Sequence, residues 1–189
     1  SFLKPMKLIQ KNYTNDLRIL EEKLEHIELN SKKQNIKQSV LILNRYNSNK
    51  YLSLLTKYKS NKFLSVQFLT AHSCKGLTFD YVFLDDVDRG KRSFPSNIPD
   101  DSILYLFLKA DIFPLEEERR LFYVAITRAK KVVFIMYKKN EFSIFAREMV
   151  QALQLDCKMC GNVMTYHTMD NYYNCSDYWD CNYNCFQSN

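Results

Sequence analysis

The chain has 189 residues, 46% hydrophobic and 14% aromatic, which gives room for one ordinary domain plus a small appendage and excludes disorder as the default. Its formal charge of +6 suits a protein that touches a polyanion, yet so modest an excess decides little alone. No apolar run approaches the ~20 residues of a membrane span, and no signal-peptide pattern opens the chain, so an intracellular, non-secreted protein without membrane contact is expected.

From about Tyr13 to Leu29, the residues Tyr13, Leu17, Leu20, Leu24 and Ile27 recur at helical spacing, with charged residues on the other faces. The polar stretch Asn30 to Gln38 reads as a loop or linker. Val40 to Leu43 is a short unbroken apolar run, the pattern of a strand buried on both faces. Asn49 to Lys59 reads as a helix with Leu52, Leu55 and Tyr58 on one side. Phe63 to Leu69 and Tyr81 to Leu84 read as two more strands. Ile103 to Leu108 is apolar and helical in character, Glu116 to Ala129 is an amphipathic helix, and Val132 to Tyr137 is another buried strand. Phe142 to Leu155 reads as a final helix before a cysteine-rich tail. Strands alternating with helices predict an α/β domain whose mostly parallel sheet is covered on both faces. The divisions expected are an N-terminal helix and linker over 1–37, the α/β domain over 38–156 and the tail over 157–189.

Only three glycines occur, Gly76, Gly90 and Gly161. A Walker A loop needs several glycines followed by Lys and Ser or Thr, so that backbone amides can cradle phosphates. No such run exists, nor an acidic Walker B pattern ending an early strand. The chain is expected to lack a complete nucleotide site of this type.

Two blocks carry chemistry. In EEERRLFYVAITRAKK, Glu116 to Lys131, the residues Leu121, Val124 and Ala125 form a buried helical stripe. The three leading carboxylates suit the positive end of the helix dipole, and Lys130 and Lys131 the negative end. Arg128 falls near the last turn, where a guanidinium can project beyond its element and stabilise charge developing on a phosphate. Periodicity alone leaves Arg128 an ordinary helix-terminal cation. The second block, Leu69 to Leu84, reads LTAHSCKGLTFDYVFL.

These blocks, in this order, resemble motifs VI (EERRLxYVAxTRA) and V (TxHxxKGxxxDxVxL) of the UvrD/Rep-type superfamily 1 helicases. Phe94-Pro95-Ser96 and Asp100-Asp101 between them resemble the connecting segment of the helicase IV branch. The resemblance implies the second RecA-like motor domain of that family, a fold of P-loop NTPase type. It implies that Arg128 is the arginine finger reaching the γ-phosphate, and that Gly76 and Thr78 face nucleotide. Family members commonly carry Glu where this chain has Thr78; a hydroxyl bonds a ribose without charge. Thr70, His72 and Ser73 fall on positions associated with DNA contact and coupling, and His72 equally suits bracing the loop. Arg45-Tyr46-Asn47 resembles the family's RxN segment, so Arg45 and Asn47 are candidates to hold a phosphate of the tracked strand; a solvated loop is the other reading. Arg119 and Arg120 read as pairing with neighbouring carboxylates, Phe122 and Tyr123 as core, Cys74 as a small buried filler, and Asp85 and Asp86 as loop carboxylates.

The tail holds Cys157-x2-Cys160 and, after fourteen intervening residues, Cys175-x5-Cys181. Two close cysteine pairs in an intracellular chain suggest one tetrahedral structural Zn²⁺ rather than disulfides. About thirty residues bury little core, and a metal would supply the missing folding energy. CKMCGNVM followed by YYNCSDYWDC is also similar to the C-terminal zinc ribbons of bacterial type I topoisomerases, with Lys158, Asn174 and Trp179 as departures. His167 and Cys185 are competing ligands. Tyr166, Tyr172, Tyr173, Tyr178 and Trp179 suit either base stacking or a miniature core.

The resemblance thus implies the C-terminal part of an ATP-dependent 3′-to-5′ DNA helicase nearest helicase IV. It would act on single-stranded DNA, with ATP and Mg²⁺ shared with an N-terminal helicase domain supplied in cis or in trans. Alone it is expected to hydrolyse no ATP. The opening in Ser1-Phe2 without Met suits a fragment. The alternative is a non-catalytic, zinc-dependent nucleic-acid-binding relic of a split helicase gene.

Overall fold

Four consecutive apolar residues, Val40 to Leu43, leave a strand no face to present to water, and all four are fully buried within a parallel sheet. The computed structural model describes residues 6–11, 16–96, 98, 115–138, 141, 143–152, 164–167, 172–175 and 184–186. The chain divides into two compact units, Ser1–Ala146 and Arg147–Asn189. The first unit contains, in order, β1 (Met6–Lys11), α1 (Asp16–Gln34), β2 (Gln38–Asn44), α2 (Leu52–Tyr58), β3 (Leu64–Thr70), β4 (Phe79–Leu84), α3 (Glu116–Ile126) and β5 (Ala129–Lys138); α4 (Ile144–Ala152) starts at its end. The sheet order is β1-β5-β4-β2-β3, with every pairing parallel. The chain leaves β2 for β3 on one side and returns to β4 on the other, so the winding reverses at β2.

Alternation along the strands gives the sheet two apolar faces. Val40, Ile42, Phe83, Phe134 and Met136 share a core with Leu20, Leu24 and Ile27 of α1 and with Leu54 and Tyr58 of α2. Phe83 and Phe134 stack within it at 4.5 Å. The alternate residues Leu41, Leu43, Val82, Leu84, Val133 and Ile135 are buried as well, as are Leu121, Phe122 and Ala125 of α3. The α/β class and the parallel sheet expected from the strand–helix alternation are thus present.

Several local expectations are corrected. β1 is not apparent from the sequence; its six residues pair in register with Val133 to Lys138. α1 runs through Asn30 to Gln34, a stretch that reads as loop, because the buried Ser31 donates its hydroxyl to the Ile27 carbonyl at 2.7 Å and satisfies itself inside the helix. Asn35, at φ 51°, then ends it. In α2 the buried residues are Leu54 and Tyr58, whereas Leu52 is 58% exposed. The predicted helix to Ala129 stops at Ile126, since Ala129 already pairs with Phe79 in the sheet. The predicted helix Ile103 to Leu108 and the pair Asp100-Asp101 lie outside the described residues. Among the described residues no helix is long and apolar enough to cross a membrane.

The second unit has an antiparallel sheet of β6 (Met164–His167), β7 (Tyr172–Cys175) and β8 (Asn184–Phe186), in that order. Cys175 stands opposite Met164 in register and Cys185 opposite Tyr173. Cys157, Cys160 and Cys181 lie outside the described residues.

Burial lifts the phenols of Tyr51, Tyr58, Tyr81 and Tyr137 above their ordinary titration range, and the charges of Asp85 and Asp86 add to the effect at Tyr51. Unfolded phenols ionise near pH ~10. Below that pH both states hold these protons and the contribution is intact; above it only the unfolded state releases them, so stability falls as pH rises. The thermal midpoint is expected to drop steeply above about pH 10. The drop should be shallower in Tyr51→Phe, and a midpoint that stays flat through that range would contradict the burial assignment.

Candidate functional site

Parallel strands place all their carboxyl ends on one edge of a sheet and all their amino ends on the other. Both motif blocks connect the two edges. Thr70 closes β3 at the carboxyl edge, residues 71–78 run back, and Phe79 opens β4 at the amino edge. In the opposite block Glu118, in the first turn of α3, meets Arg45 just past the carboxyl end of β2, while Arg128 immediately precedes the amino end of β5.

At the amino edge the helix end builds the arginine's seat. Thr127 caps α3, and its hydroxyl donates to the Val124 carbonyl at 2.9 Å. Arg128 Nε donates to that same carbonyl at 2.8 Å, one terminal nitrogen donates to Thr127 Oγ1 at 3.0 Å, and the other to the Leu77 carbonyl at 3.3 Å. The Arg128 carbonyl accepts the Phe79 amide at 2.9 Å, so the turn and residues 77–79 are tied together. Among the described residues no carboxylate pairs with Arg128, and each terminal nitrogen keeps a second N–H. The guanidinium is therefore fixed by neutral acceptors, and among the described residues nothing compensates its charge.

Gly76 and Thr78, both exposed, belong to this edge. Gly76 has φ +81°, and a Cβ there would meet nothing within 4 Å. The glycine is thus required by its dihedral, and the space beside it is open. Cys74 is the buried filler expected: burial raises its thiol pKa, only partly opposed by the Arg128 charge, and Sγ donates to the Ala71 carbonyl at 3.1 Å.

At the carboxyl edge the structure brings Arg45, His72, Thr70 and Ser73 together. Arg45 forms a two-pronged pair with Glu118, through NH2 at 2.7 Å and Nε at 2.8 Å, and each side chain is only 12% exposed. Its remaining terminal nitrogen lies 3.3 Å from His72 Nδ1, which must accept because a guanidinium can only donate. Glu118 also accepts the Ser96 amide at 3.0 Å. Arg45 is thus a strut between the loop after β2, the β3–β4 segment and α3. Thr70 and Ser73 share a hydroxyl–hydroxyl bond of 2.9 Å. Asn47 is exposed, with Oδ1 accepting the Ser48 amide at 3.0 Å.

Two features of this edge are not visible in the sequence. Glu118 is there one dipole-complementing carboxylate among three, with no sign that it alone reaches β2. The other is a polar cluster under the edge. Asp85, 1% exposed, accepts Lys50 Nζ at 3.0 Å and the Tyr51 hydroxyl at 2.5 Å. Tyr51 is also 3.1 Å from Asn44 Oδ1, and Asn44 Nδ2 donates to Asp86 at 3.1 Å. The available signal was Asn44 and Asp85 each following a wholly apolar strand end, where a buried polar group needs a partner.

Elsewhere in α3, Arg120 pairs with Glu117, as expected, while Arg119 lies over the Phe145 ring at 5.2 Å. Phe122 is buried against Phe94 and Phe145, but Tyr123, expected in the core, is 65% exposed. A helix with one covered face buries only the positions beside Leu121 and Ala125, and Tyr123 projects from the other side. Among the described residues no group of three or more His, Cys, Asp or Glu is arranged to hold a metal ion.

Fold and site together define an α/β domain whose parallel sheet carries candidate site residues on both edges. The chain belongs to the UvrD-like helicase C-terminal domain family, whose pattern it matches over residues 6–140. It is 34% identical over 109 residues to DNA helicase IV of Escherichia coli K12, covering 57% of this chain and 16% of that protein. Over 78 residues it is 42% identical to a probable DNA helicase II homolog of Mycoplasma capricolum (41% of this chain, 9% of that one). It is also 42% identical over 76 residues to ATP-dependent DNA helicase Rep of Salmonella typhimurium, covering 40% and 10%. The matched segment is thus a small fraction of these relatives' lengths. A solved C-terminal domain of a possible DNA helicase from Lactobacillus plantarum WCFS1 superposes with TM-score 0.42 and 15% identity, over 80% of this chain and 83% of that one.

Proposed function

We propose that this chain is the C-terminal motor half of an ATP-dependent 3′-to-5′ DNA helicase, working with an N-terminal half that holds the triphosphate and Mg²⁺. The observation that carries the reading is Arg128: a guanidinium held by Val124, Thr127 and Leu77, with no carboxylate among the described residues to neutralise it. Closure of the partner half brings the γ-phosphate to this edge. Arg128 then stabilises the negative charge spread over the transferring phosphoryl oxygens. Gly76 gives the backbone close approach, and the Thr78 hydroxyl bonds the ribose.

Single-stranded DNA lies along the carboxyl edge, touching Asn47, Thr70, His72 and Ser73, with Arg45 reaching phosphate from its pair with Glu118. Both connecting segments then transmit closure. A shift of Arg128 moves α3 and hence Glu118 and Arg45, while the 71–78 segment links His72 to Leu77. Hydrolysis measured with and without the Arg128 guanidinium tests the reading: turnover lost with DNA binding retained is expected, and unchanged turnover overturns it.

In the tail we assign Cys157, Cys160, Cys175 and Cys181 to one structural zinc ion, a donor set of four thiolates that suits tetrahedral coordination. Metal analysis is expected to return one zinc per chain, lost in a Cys157→Ser, Cys160→Ser variant. A zinc content unchanged by that double substitution would remove the assignment.

A further inference from the structure

We propose that the loop tip Arg89 to Arg92, together with Tyr46, is an additional grip on the backbone phosphates of single-stranded DNA. The site extends the carboxyl edge and rests on the reading that this edge meets a DNA strand. Residues 89–92 read Arg-Gly-Lys-Arg, three cations in four positions. Arg89, Lys91 and Arg92 are all exposed, and among the described residues none has a carboxylate at ion-pair distance.

The flanks of this tip are anchored. Val87 is fully buried, its amide bonded to the Met136 carbonyl and its carbonyl to the Ser143 amide. Asp88, 4% exposed, accepts the Lys138 amide. On the far side Ser93 and Phe94 are buried, and the Phe94 amide reaches back to the Asp86 carbonyl at 3.0 Å. Gly90 permits the tight turn between them, since a Cβ there would strike Ser93 Oγ. Three cations are thereby held on a short, fixed backbone, which lowers the ordering cost of gripping a polyanion.

The tip is also joined to the strand edge. The Arg92 guanidinium lies 5.3 Å from the centroid of the Tyr46 ring, and Arg45 lies 4.9 Å from the same centroid. The Tyr46 hydroxyl bonds Ser96 Oγ at 2.7 Å, fixing the ring. Arg45 has Glu118 as its counter-charge, whereas Arg92 has no such partner among the described residues. Tyr46 precedes the exposed Asn47, so the cationic tip continues the surface already assigned to the strand. Phosphate oxygens would supply the missing anions, and an aromatic ring held beside them suits an unpaired base.

The test is binding of the full chain to a fluorescent oligothymidylate, followed by anisotropy from about 50 to 200 mM salt. Lys91→Ala combined with Arg92→Ala is expected to weaken binding several-fold. It should also flatten the slope of log affinity against log salt by roughly 0.7 for each phosphate that is no longer neutralised. Arg92→Lys, which keeps the charge, should retain the slope. Should the double variant melt early, Lys91→Glu gives the same reading from a side chain without a described partner. An unaltered chain that binds while the variants keep its affinity and slope overturns this site alone. An unaltered chain that binds no strand overturns the strand reading and this site together. A loss equal or greater on duplex DNA overturns the assignment to single strands.

Discussion

Arg128→Ala in the complete enzyme is expected to lower the rate of ATP hydrolysis by about three to five orders of magnitude, the range seen when an arginine finger is removed. The size follows from what is removed. In the proposed role, a guanidinium already fixed by Val124, Thr127 and Leu77 would meet developing charge without reorganising, with two N–H groups left to meet it. No core packing leaves with it, because Arg128 lies in the turn between α3 and β5 and its partners are backbone carbonyls and one hydroxyl. The melting temperature should therefore move little, and single-strand affinity, which the proposed function places at the opposite edge, should hold. Arg128→Lys keeps a charge but loses the planar fork and the bond to Val124, so it should recover only a small part of the rate. A variant that hydrolyses ATP at the normal rate, or one that loses activity only by unfolding, would return Arg128 to the status of an ordinary helix-terminal cation.

Lys50→Met is expected to destabilise the domain by about 3 kcal/mol, at the low end for a broken buried pair because Lys50 itself is a quarter exposed. The two partners are not equivalent. Lys50 can swing out to water, but Asp85, 1% exposed at the end of β4, cannot follow. Without the ammonium its carboxylate still has the Tyr51 hydroxyl and the Asp86 amide among its donors, and both are neutral. Adding Asp85→Asn should recover part of the loss, since the charge is then removed and the Tyr51 bond kept. Urea titration of the single and double variants measures both steps. A single variant as stable as the unaltered chain would mean the carboxylate is satisfied without Lys50. The cluster joins the ends of β2 and β4 through Asn44 and Asp86, so its loss should also loosen the edge that holds Arg45 and the cationic tip.

Much of the fold was legible because burial on both faces leaves a plain mark. Val40 to Leu43 and Val132 to Tyr137 each read as a buried strand and Tyr81 to Leu84 as a strand, and all three lie in the parallel sheet, with Val40 to Leu43, Val82 to Leu84 and Val133 to Met136 buried. The errors share a cause. Ser31 looks like a loop residue until its hydroxyl is seen to bond inside its own helix, and Leu52 looks buried until Leu54 and Tyr58 are seen to face the sheet. Polar satisfaction and helix rotation depend on neighbours that adjacent residues do not specify. β1 follows the same logic: Met6 to Lys11 mixes apolar and charged residues, and pairing along β5 makes it a strand.

The site divides the same way. The resemblance of the blocks Leu69 to Leu84 and Glu116 to Lys131 to two helicase motifs marked Arg128, Gly76, Thr78, Thr70, His72 and Ser73 as candidates, because a motif's residues keep their linear order. What tertiary structure decided is which of these meet. Parallel winding carries Glu118 to Arg45, 73 residues away, and sets His72 beside Arg45. It also brings Lys50 and Tyr51 under Asp85 and lays Arg92 over Tyr46. The chain's own order thus determined the family and the candidate chemistry. The sheet's topology decided the pairing of charges, because electrostatic and hydrogen-bond partners are chosen by distance in space and the parallel crossovers alone set those distances.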